Sequence, residues 1–321
     1  MSEKAVNYYH DKIGMGFYHL DPRWCSFADF EHFVSLGITN AYIMSCGTGT
    51  TRSAAKILRE TGSQIWLGVG KYNGKVQKVT DYIRSVKSGV DAMIGDGTYD
   101  QVVGFHWDEP ILGMTNEDFL EMTKAMSEEF GKRIYPVFSG YETMGKKGNF
   151  NDPDGVTKLE SFATKYITDY GFDSYGYDFR KPYNTALTNR LKAFSKDYVF
   201  TERKEYDTTD DYYRLAFRML RETIENKDAR AWVYPTAYNV YTWGGYHSDE
   251  DYCIAHLEGL KNILLEQENP GGIHAYTFKT WRTSEPAMDY YLGKYCPERW
   301  TRYEEKCREV FKEISEIKTN V

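Results

Sequence analysis

Short apolar runs alternate with longer amphipathic segments along the whole chain. Each run leads through a turn into a segment whose apolar residues recur every three or four positions, the spacing of one helix face. Repeated strand and helix units predict a parallel sheet, because each helical crossover must pack back onto that sheet. Nine runs have the length and apolar content of strands: 14–20, 38–44, 64–69, 102–107, 133–138, 172–177, 197–202, 230–235 and 272–278.

The amphipathic segments supply the predicted helices. Segment 115–130 places Phe119, Met122, Met126 and Phe130 on one face, and Thr115 precedes it with the spacing of a capping box. Further helices are predicted over 211–226 and 249–266, and segment 298–317 is predicted as a closing C-terminal helix.

The pattern favours a closed (β/α)8 barrel, the TIM barrel, over an open doubly wound sheet. No GxGxxG motif follows the first strand, and no phosphate-binding loop occurs elsewhere. The chain has 321 residues and no linker rich in Pro, Gly or Ser, so residues 1–321 are predicted to form one domain. Nine strands are one too many, so either 230–235 or 272–278 is expected to be accessory, unless the ends of the barrel are irregular.

The charge and hydropathy of the chain indicate which classes of binding partner and which location to expect. The net charge is −7 and the lysines and arginines form no stripe, which argues against nucleic acid or anionic lipid as a partner. No apolar run approaches the length of a membrane span, and residues 1–14 lack the apolar segment of a signal peptide. The chain as written is therefore expected in the cytoplasm, or outside the cell if a signal has been removed. The pattern does not indicate an oligomeric state.

The cysteines and histidines do not suggest a metal or a disulfide framework. The five cysteines are odd in number and scattered, as expected for reduced thiols. The seven histidines form no HExxH motif. No metal and no cofactor are therefore expected.

Aromatic residues are unusually frequent, with 28 Tyr, 17 Phe and 7 Trp. Most of the Phe residues are expected in the core. Tyr and Trp combine a flat apolar face with a polar edge, which suits the rings and hydroxyls of sugars. Six of them lie at or after the ends of predicted strands, which is the pattern of an aromatic-lined cleft: Trp107, Tyr141, Tyr177, Tyr238, Trp243 and Trp281.

The segment GFHWDEP, residues 104–110, is the most informative motif in the chain. It places Asp108 and Glu109 where the fourth strand ends and a helix follows. In α/β barrels, the loops at this end of the strands carry the catalytic groups. A structural alternative is that the two acids only complement the dipole of the following helix.

A second carboxylate ends the predicted seventh strand in KDYVFTE, residues 196–202. Strands four and seven lie nearly opposite each other in an eight-stranded ring, so Glu109 and Glu202 are expected to face each other across its mouth. The alternative for Glu202 is a solvated loop, because Arg203, Lys204 and Glu205 follow it.

A (β/α)8 chain with a DEP turn after strand four and a Glu ending strand seven resembles the large clan of retaining glycoside hydrolases that includes many cellulases and β-galactosidases. The likeness spans the chain as architecture, although its motifs are only a few residues long. It implies that Glu109 is the acid/base and Glu202 the nucleophile. The clan usually has Asn before the acid/base, where this chain has Asp108.

The resemblance also implies substrate contacts. Trp281 matches the aromatic floor of the sugar site, with plain packing as its alternative, and Tyr175 and Tyr177 are candidates to contact the nucleophile. The remaining candidates for substrate binding are Trp107, Asp108, Asp178, Trp243 and His19. Histidines in strands, such as His19, His106 and His274, are more often hydrogen-bonded core residues.

Glycoside cleavage needs a proton for the leaving oxygen and a negative charge or nucleophile at the anomeric carbon. A carboxyl separation of about 5 Å favours retention, and one of roughly 6.5–9.5 Å leaves room for water and inversion. Asp178 and Asp21 are alternative second carboxylates.

Two other classes of protein share the fold. A barrel that binds carbohydrate without cleaving it would be stabilised by sugars and show no turnover. A barrel lyase or aldolase would need a Schiff-base lysine, for which Lys71 and Lys279 are candidates.

Overall fold

Eight parallel strands form the centre of the molecule. The computed structural model describes residues 13–17, 41–46, 63–95, 97, 99–110, 113–139, 164–173, 209–235, 250–275 and 297–317. The strands are β1 (Gly14–Phe17), β2 (Ala41–Ser45), β3 (Gln64–Gly68), β4 (Val102–Asp108), β5 (Arg133–Ser139), β6 (Asp169–Asp173), β7 (Arg230–Val233) and β8 (Pro270–Ala275).

Hydrogen bonding joins the strands in the order β1-β8-β7-β6-β5-β4-β3-β2. All seven pairs are parallel. The two end strands come together at Gly16 of β1, where a Cβ atom would collide with the carbonyl of Ala41 in β2. The two end strands therefore lie side by side in a nearly closed barrel, and the prediction of a (β/α)8 barrel is confirmed.

Five described α-helices surround this sheet: α1 (Val79–Gly95), α2 (Asn116–Phe130), α3 (Thr209–Thr223), α4 (Glu250–Leu265) and α5 (Pro297–Ser315). A short 3-10 helix, Tyr99–Gln101, precedes β4. The predicted helices 115–130, 211–226, 249–266 and 298–317 correspond to α2 to α5, whereas α1 was not predicted. α2 buries the apolar face that its sequence predicts, as Phe119, Met122 and Met126 show by their zero exposure. The amide of Asp118 donates to Thr115 Oγ1 at 3.1 Å, which caps α2 at its N-terminus. None of the helices in the described part of the chain is long and apolar enough to cross a membrane.

The strand count corrects one prediction. Segments 230–235 and 272–278 were the candidates for an accessory strand, but β7 and β8 are both integral to the sheet. β7 pairs with β6 on one side and β8 on the other, so residues 230–233 hold the seventh position of the sheet, and the predicted strand 197–202 lies outside the described residues. β6 also begins three residues earlier than the predicted 172–177.

Large aromatic side chains fill the interior of the barrel, where branched aliphatic residues are usual. Trp66, Tyr135, Trp232 and Tyr234 belong to this inner cluster, and none of them is more than 1% exposed. The glycine pair Gly14 and Gly272 makes room for them, because a Cβ atom on either would collide with the Trp232 ring. The inner cluster also contains Ala41, Ile43, Val103 and Val137.

Candidate active site

The upper edge of the barrel, where the strands end, carries Asp108 and Glu109 at the end of β4. Asp108 is the last residue of the strand and is exposed, whereas Glu109 follows it and is half-buried. Gly104 and His106 both face the barrel interior. A Cβ atom on Gly104 would collide with the ring of Trp66, and the ring of His106 packs edge-on against that of Tyr135 with their centroids 5.2 Å apart. Since alternate residues of a strand share a face, Asp108 lies on the interior face, above His106.

Glu109 has an unusual backbone conformation. Its φ is +44°, and among the described residues it is the one non-glycine residue with a positive φ. This left-handed conformation is unfavourable for a side chain that has a Cβ atom. It also interrupts the strand geometry, in which successive side chains point to opposite faces of the sheet. The side chain of Glu109 is therefore not forced onto the face opposite that of Asp108.

The neighbouring backbone fixes this turn. The amide of Glu109 donates to the carbonyl of Val137 in β5 at 3.0 Å, one step beyond the end of β4. Pro110 is buried, and its carbonyl accepts the amides of Gly113 at 3.2 Å and Met114 at 3.0 Å. Strain at such a defined position is typical of functional sites.

The interior immediately below the upper edge contains a polar cluster that the sequence did not predict. The hydroxyls of Tyr135 and Tyr234 lie 2.5 Å apart. Both also lie within hydrogen-bonding distance of His274 Nδ1, at 3.2 Å and 3.4 Å. Alternation in strand 133–138 could have identified Tyr135, since it shares a face with Val137. The partnership with His274 depends on contacts between distant strands.

His274 is held neutral at this depth. Its ring stacks on Trp232 with centroids 4.5 Å apart and is fully buried. Burial lowers the pKa of His274 well below its ordinary value, and the charge of the neighbouring His106 lowers it further. The interpretation of His274 as a hydrogen-bonded core residue therefore agrees with the structure.

The lower edge of the barrel carries charges of a different kind. Asp169 is the first residue of β6, and Arg133 and Arg230 are the first residues of β5 and β7. Asp169 Oδ2 lies 2.5 Å from Arg133 Nε, and Oδ1 lies 3.0 Å from Arg230 Nε. The Trp232 indole also donates to Oδ1, at 3.0 Å. This buried, paired cluster closes the interior from below.

Trp107 does not lie in the cleft, which corrects its prediction as a substrate-binding residue. It has zero exposure and belongs to the core between the sheet and the helices. Its indole nitrogen donates to the hydroxyl of Tyr82 in α1 at 3.2 Å. The two-residue alternation of β4 sends Trp107 to the outer face, because His106 and Asp108 occupy the inner one.

The other predicted site residues lie outside the described residues. They are Glu202, Tyr175, Tyr177, Asp178, Trp243, Trp281 and His19, together with the alternatives Asp21 and Lys279. Lys71, the other candidate Schiff-base lysine, is exposed and is not enclosed in an apolar pocket. No group of three metal-ligating side chains occurs among the residues that the structure describes.

No known family model matches the chain, and no curated protein sequence matches it. Solved structures do resemble it. A glucosidase from Croceicoccus marinus aligns with a TM-score of 0.56 at 10% identity, over 95% of this chain and 68% of the other. A protein from Bacteroides thetaiotaomicron provisionally assigned as an alpha-L-fucosidase aligns with a TM-score of 0.55 at 10% identity, over 94% of each chain.

A third structure, active domain 2 of a thermostable chitinase from Pyrococcus furiosus, aligns with a TM-score of 0.51 at 9% identity, over 95% of this chain and 96% of the other. The likeness shows the fold alone. All three structures are (β/α)8 barrels, and all three bear the names of glycoside-cleaving enzymes.

Proposed function

We propose that this protein is a glycoside hydrolase that cleaves the glycosidic bonds of an oligo- or polysaccharide, with Glu109 as the acid/base. The observation that carries the proposal is the strained, half-buried Glu109 at the upper edge of the barrel, next to the exposed Asp108. Catalytic groups of (β/α)8 barrels lie at this edge. The solved structures of similar fold support the proposal, since they are named as enzymes of this class.

The second carboxylate is proposed to come from the connection between β6 and α3. This connection leaves β6 after Asp173 at the upper edge. It returns to Thr209, the first residue of α3, a helix that leads down to the start of β7. Glu202 lies in this connection and remains the proposed nucleophile, with Asp178 as its alternative. Residues 230–233 hold the seventh position in the sheet, so the proposal for Glu202 rests on its place in the connection after β6 and not on a position at the end of the seventh strand.

The proposed reaction is a double displacement with retention. Glu109 gives its proton to the glycosidic oxygen while the carboxylate of Glu202 attacks the anomeric carbon. The leaving alcohol departs, and a covalent glycosyl ester remains. Glu109, now ionised, accepts a proton from water as that water attacks the anomeric carbon, and the carboxylate of Glu202 is released.

A substrate screen tests the function. Wild-type protein and Glu109→Gln are compared on a panel of aryl glycosides and oligosaccharides. We expect hydrolysis of at least one substrate by the wild type and a loss of about 100-fold or more in the variant, because the proton donor is removed. Full activity of Glu109→Gln would refute the assignment. Sugar-induced thermal stabilisation without turnover would instead indicate a carbohydrate-binding barrel.

Azide rescue tests the nucleophile. In a Glu202→Gly variant, azide can occupy the place of the carboxylate, and we expect it to restore cleavage of an activated aryl glycoside with an inverted glycosyl azide as the product. Rescue of Asp178→Gly in place of Glu202→Gly would move the nucleophile to Asp178.

A further inference from the structure

The outer side of β4 carries two consecutive hydrogen bonds that the proposed chemistry does not use. Trp107 Nε1 donates to Tyr82 Oη at 3.2 Å, and Tyr82 Oη donates to the carbonyl of Gly70 at 2.7 Å. Trp107 is fully buried and Tyr82 is 6% exposed. We call these two bonds the Tyr82 link.

The Tyr82 link joins three elements at the upper edge of the barrel. Trp107 lies two residues before Glu109 in the chain, Tyr82 lies in the first turn of α1, and Gly70 follows β3. The backbone of the same connection is tied to β4, because the amide of Val69 donates to the carbonyl of His106 at 3.0 Å. The end of β4 is thus held from the β3 side as well as from β5.

Glu109 needs such support on physical grounds. A non-glycine residue keeps a left-handed backbone only where the surrounding structure leaves it no relaxed alternative. On the β5 side, the bond from the Glu109 amide to Val137 restrains it. On the helix side, the hydrogen bond from the Trp107 side chain to Tyr82 restrains the last residues of β4.

We infer that Tyr82 is a positioning residue for Glu109. Its hydroxyl fixes Trp107 and the connection after β3 against each other, and the end of β4 then holds Glu109 in its strained conformation. Tyr82 lies on the outer side of β4, in the core between the sheet and the helices, so the role inferred for it is positioning and not contact with substrate. The role in catalysis rests on the proposed function, whereas the support of the strained backbone does not.

Tyr72 provides a matched control. It is 2% exposed, its ring centroid lies 5.5 Å from that of Tyr82, and its hydroxyl donates to Glu121 in α2 at 3.0 Å. Tyr72→Phe and Tyr82→Phe each remove one hydroxyl from a largely buried ring in the same region. The hydroxyl of Tyr72 bonds to α2, and that of Tyr82 bonds to β4.

The first experiment measures unfolding in urea and needs no activity. Glu109→Gly is introduced into wild type, Tyr82→Phe and Tyr72→Phe. Glycine relieves the left-handed strain, so we expect a higher urea midpoint in the wild-type and Tyr72→Phe backgrounds. The rise should be smaller in Tyr82→Phe, because there the backbone of Glu109 has already relaxed. An equal rise in all three backgrounds would overturn the inference.

The second experiment measures kinetics on a substrate that the wild type cleaves, at a temperature where all variants are folded. We expect Tyr82→Phe to lower kcat about tenfold or more with KM within about twofold, because small misplacement of a catalytic group slows the chemical step. Tyr72→Phe should keep both constants within about twofold of wild type. Equal effects of the two variants on kcat would overturn the catalytic role. If the wild type cleaves no glycoside, the proposed function fails, and the urea experiment alone decides whether Tyr82 supports Glu109.

Discussion

The two edges of the barrel use charged residues in opposite ways. At the lower edge, Asp169 is fully buried between Arg133 and Arg230, and each of its oxygens faces a guanidinium. At the upper edge, Asp108 is exposed and Glu109 is half-buried in a strained backbone. The lower edge therefore has the features of a stabilising plug, and the upper edge has those of a reactive site.

The difference shows why a carboxylate in a barrel cannot be interpreted from its residue type alone. A paired and buried carboxylate has its lone pairs occupied by its partners, so it is not available to a substrate. A carboxylate that remains accessible at the end of a strand can bind and transfer protons. Between the two edges, the neutral cluster of Tyr135, Tyr234 and His274 separates the charges.

The largest effect is expected at the lower edge. Asp169→Asn leaves the buried guanidinium groups of Arg133 and Arg230 without a counter-charge, and we expect it to lower the free energy of unfolding by about 3–5 kcal/mol. The measurement is urea unfolding at neutral pH.

An exposed pair provides the control for that variant. Arg214 and Glu266 lie 2.7 Å apart, with 41% and 47% of their side chains exposed. Glu266→Gln makes the same change from carboxylate to amide, and it should cost less than about 1 kcal/mol. If Asp169→Asn costs no more than Glu266→Gln, the lower cluster is not a stabilising plug.

An intermediate effect is expected from acid. Burial lowers the pKa of His256 to about 3, and it also lowers the pKa of His274. Both are neutral in the folded protein, whereas an unfolded histidine gains a proton near pH 6.5. Their contribution to stability is therefore present above the unfolded pKa of about 6.5 and is lost as the pH falls below it, by about 2 kcal/mol at pH 5 for His256.

Urea unfolding between pH 7.5 and pH 5 measures this loss. His256→Gln removes one of the two groups, and we expect the stability of this variant to fall less steeply with decreasing pH than that of the wild type. An unchanged slope would show that His256 does not titrate differently in the folded and unfolded chains. In His256→Gln, His274 in the barrel interior is expected to contribute to the pH dependence of the free energy of unfolding that remains.

The smallest effect is expected at the upper edge. Glu109→Gly relieves the left-handed strain and should raise the free energy of unfolding by up to about 1 kcal/mol. Glu128→Gly, at an exposed site in the regular helix α2, should lower it by about 1 kcal/mol. Thermal and urea unfolding of both variants check this reversal of sign. A loss of stability in Glu109→Gly would contradict the assignment of strain to Glu109.

Much of the fold could be predicted from the order of apolar runs. The runs that became β4 and β5 were identified to within one residue at each end, because they are long and flanked by clear turns. β6 was displaced by three residues, since it begins with Asp169, a charged residue that is buried only because two distant arginines meet it. No local pattern could indicate that partnership.

The site was predicted less completely than the fold. Asp108 and Glu109 lie at the predicted end of β4 because the change from apolar to acidic residues marks where the strand ends. The prediction that Trp107 binds substrate was wrong, because aromatic content does not tell which side of a strand points inward. The left-handed backbone of Glu109 could not be anticipated either, since Glu is not a residue that favours it.

The most direct test of the account compares one variant from each edge. Glu109→Gln and Asp169→Asn are purified in parallel, and kcat/KM on a cleaved glycoside is measured for each with its urea midpoint. We predict that Glu109→Gln loses hydrolysis by about 100-fold or more at an unchanged midpoint. Asp169→Asn should have a clearly lower midpoint and near-normal hydrolysis per folded molecule. Near-normal hydrolysis by Glu109→Gln would contradict the central claim that the upper edge carries the reaction.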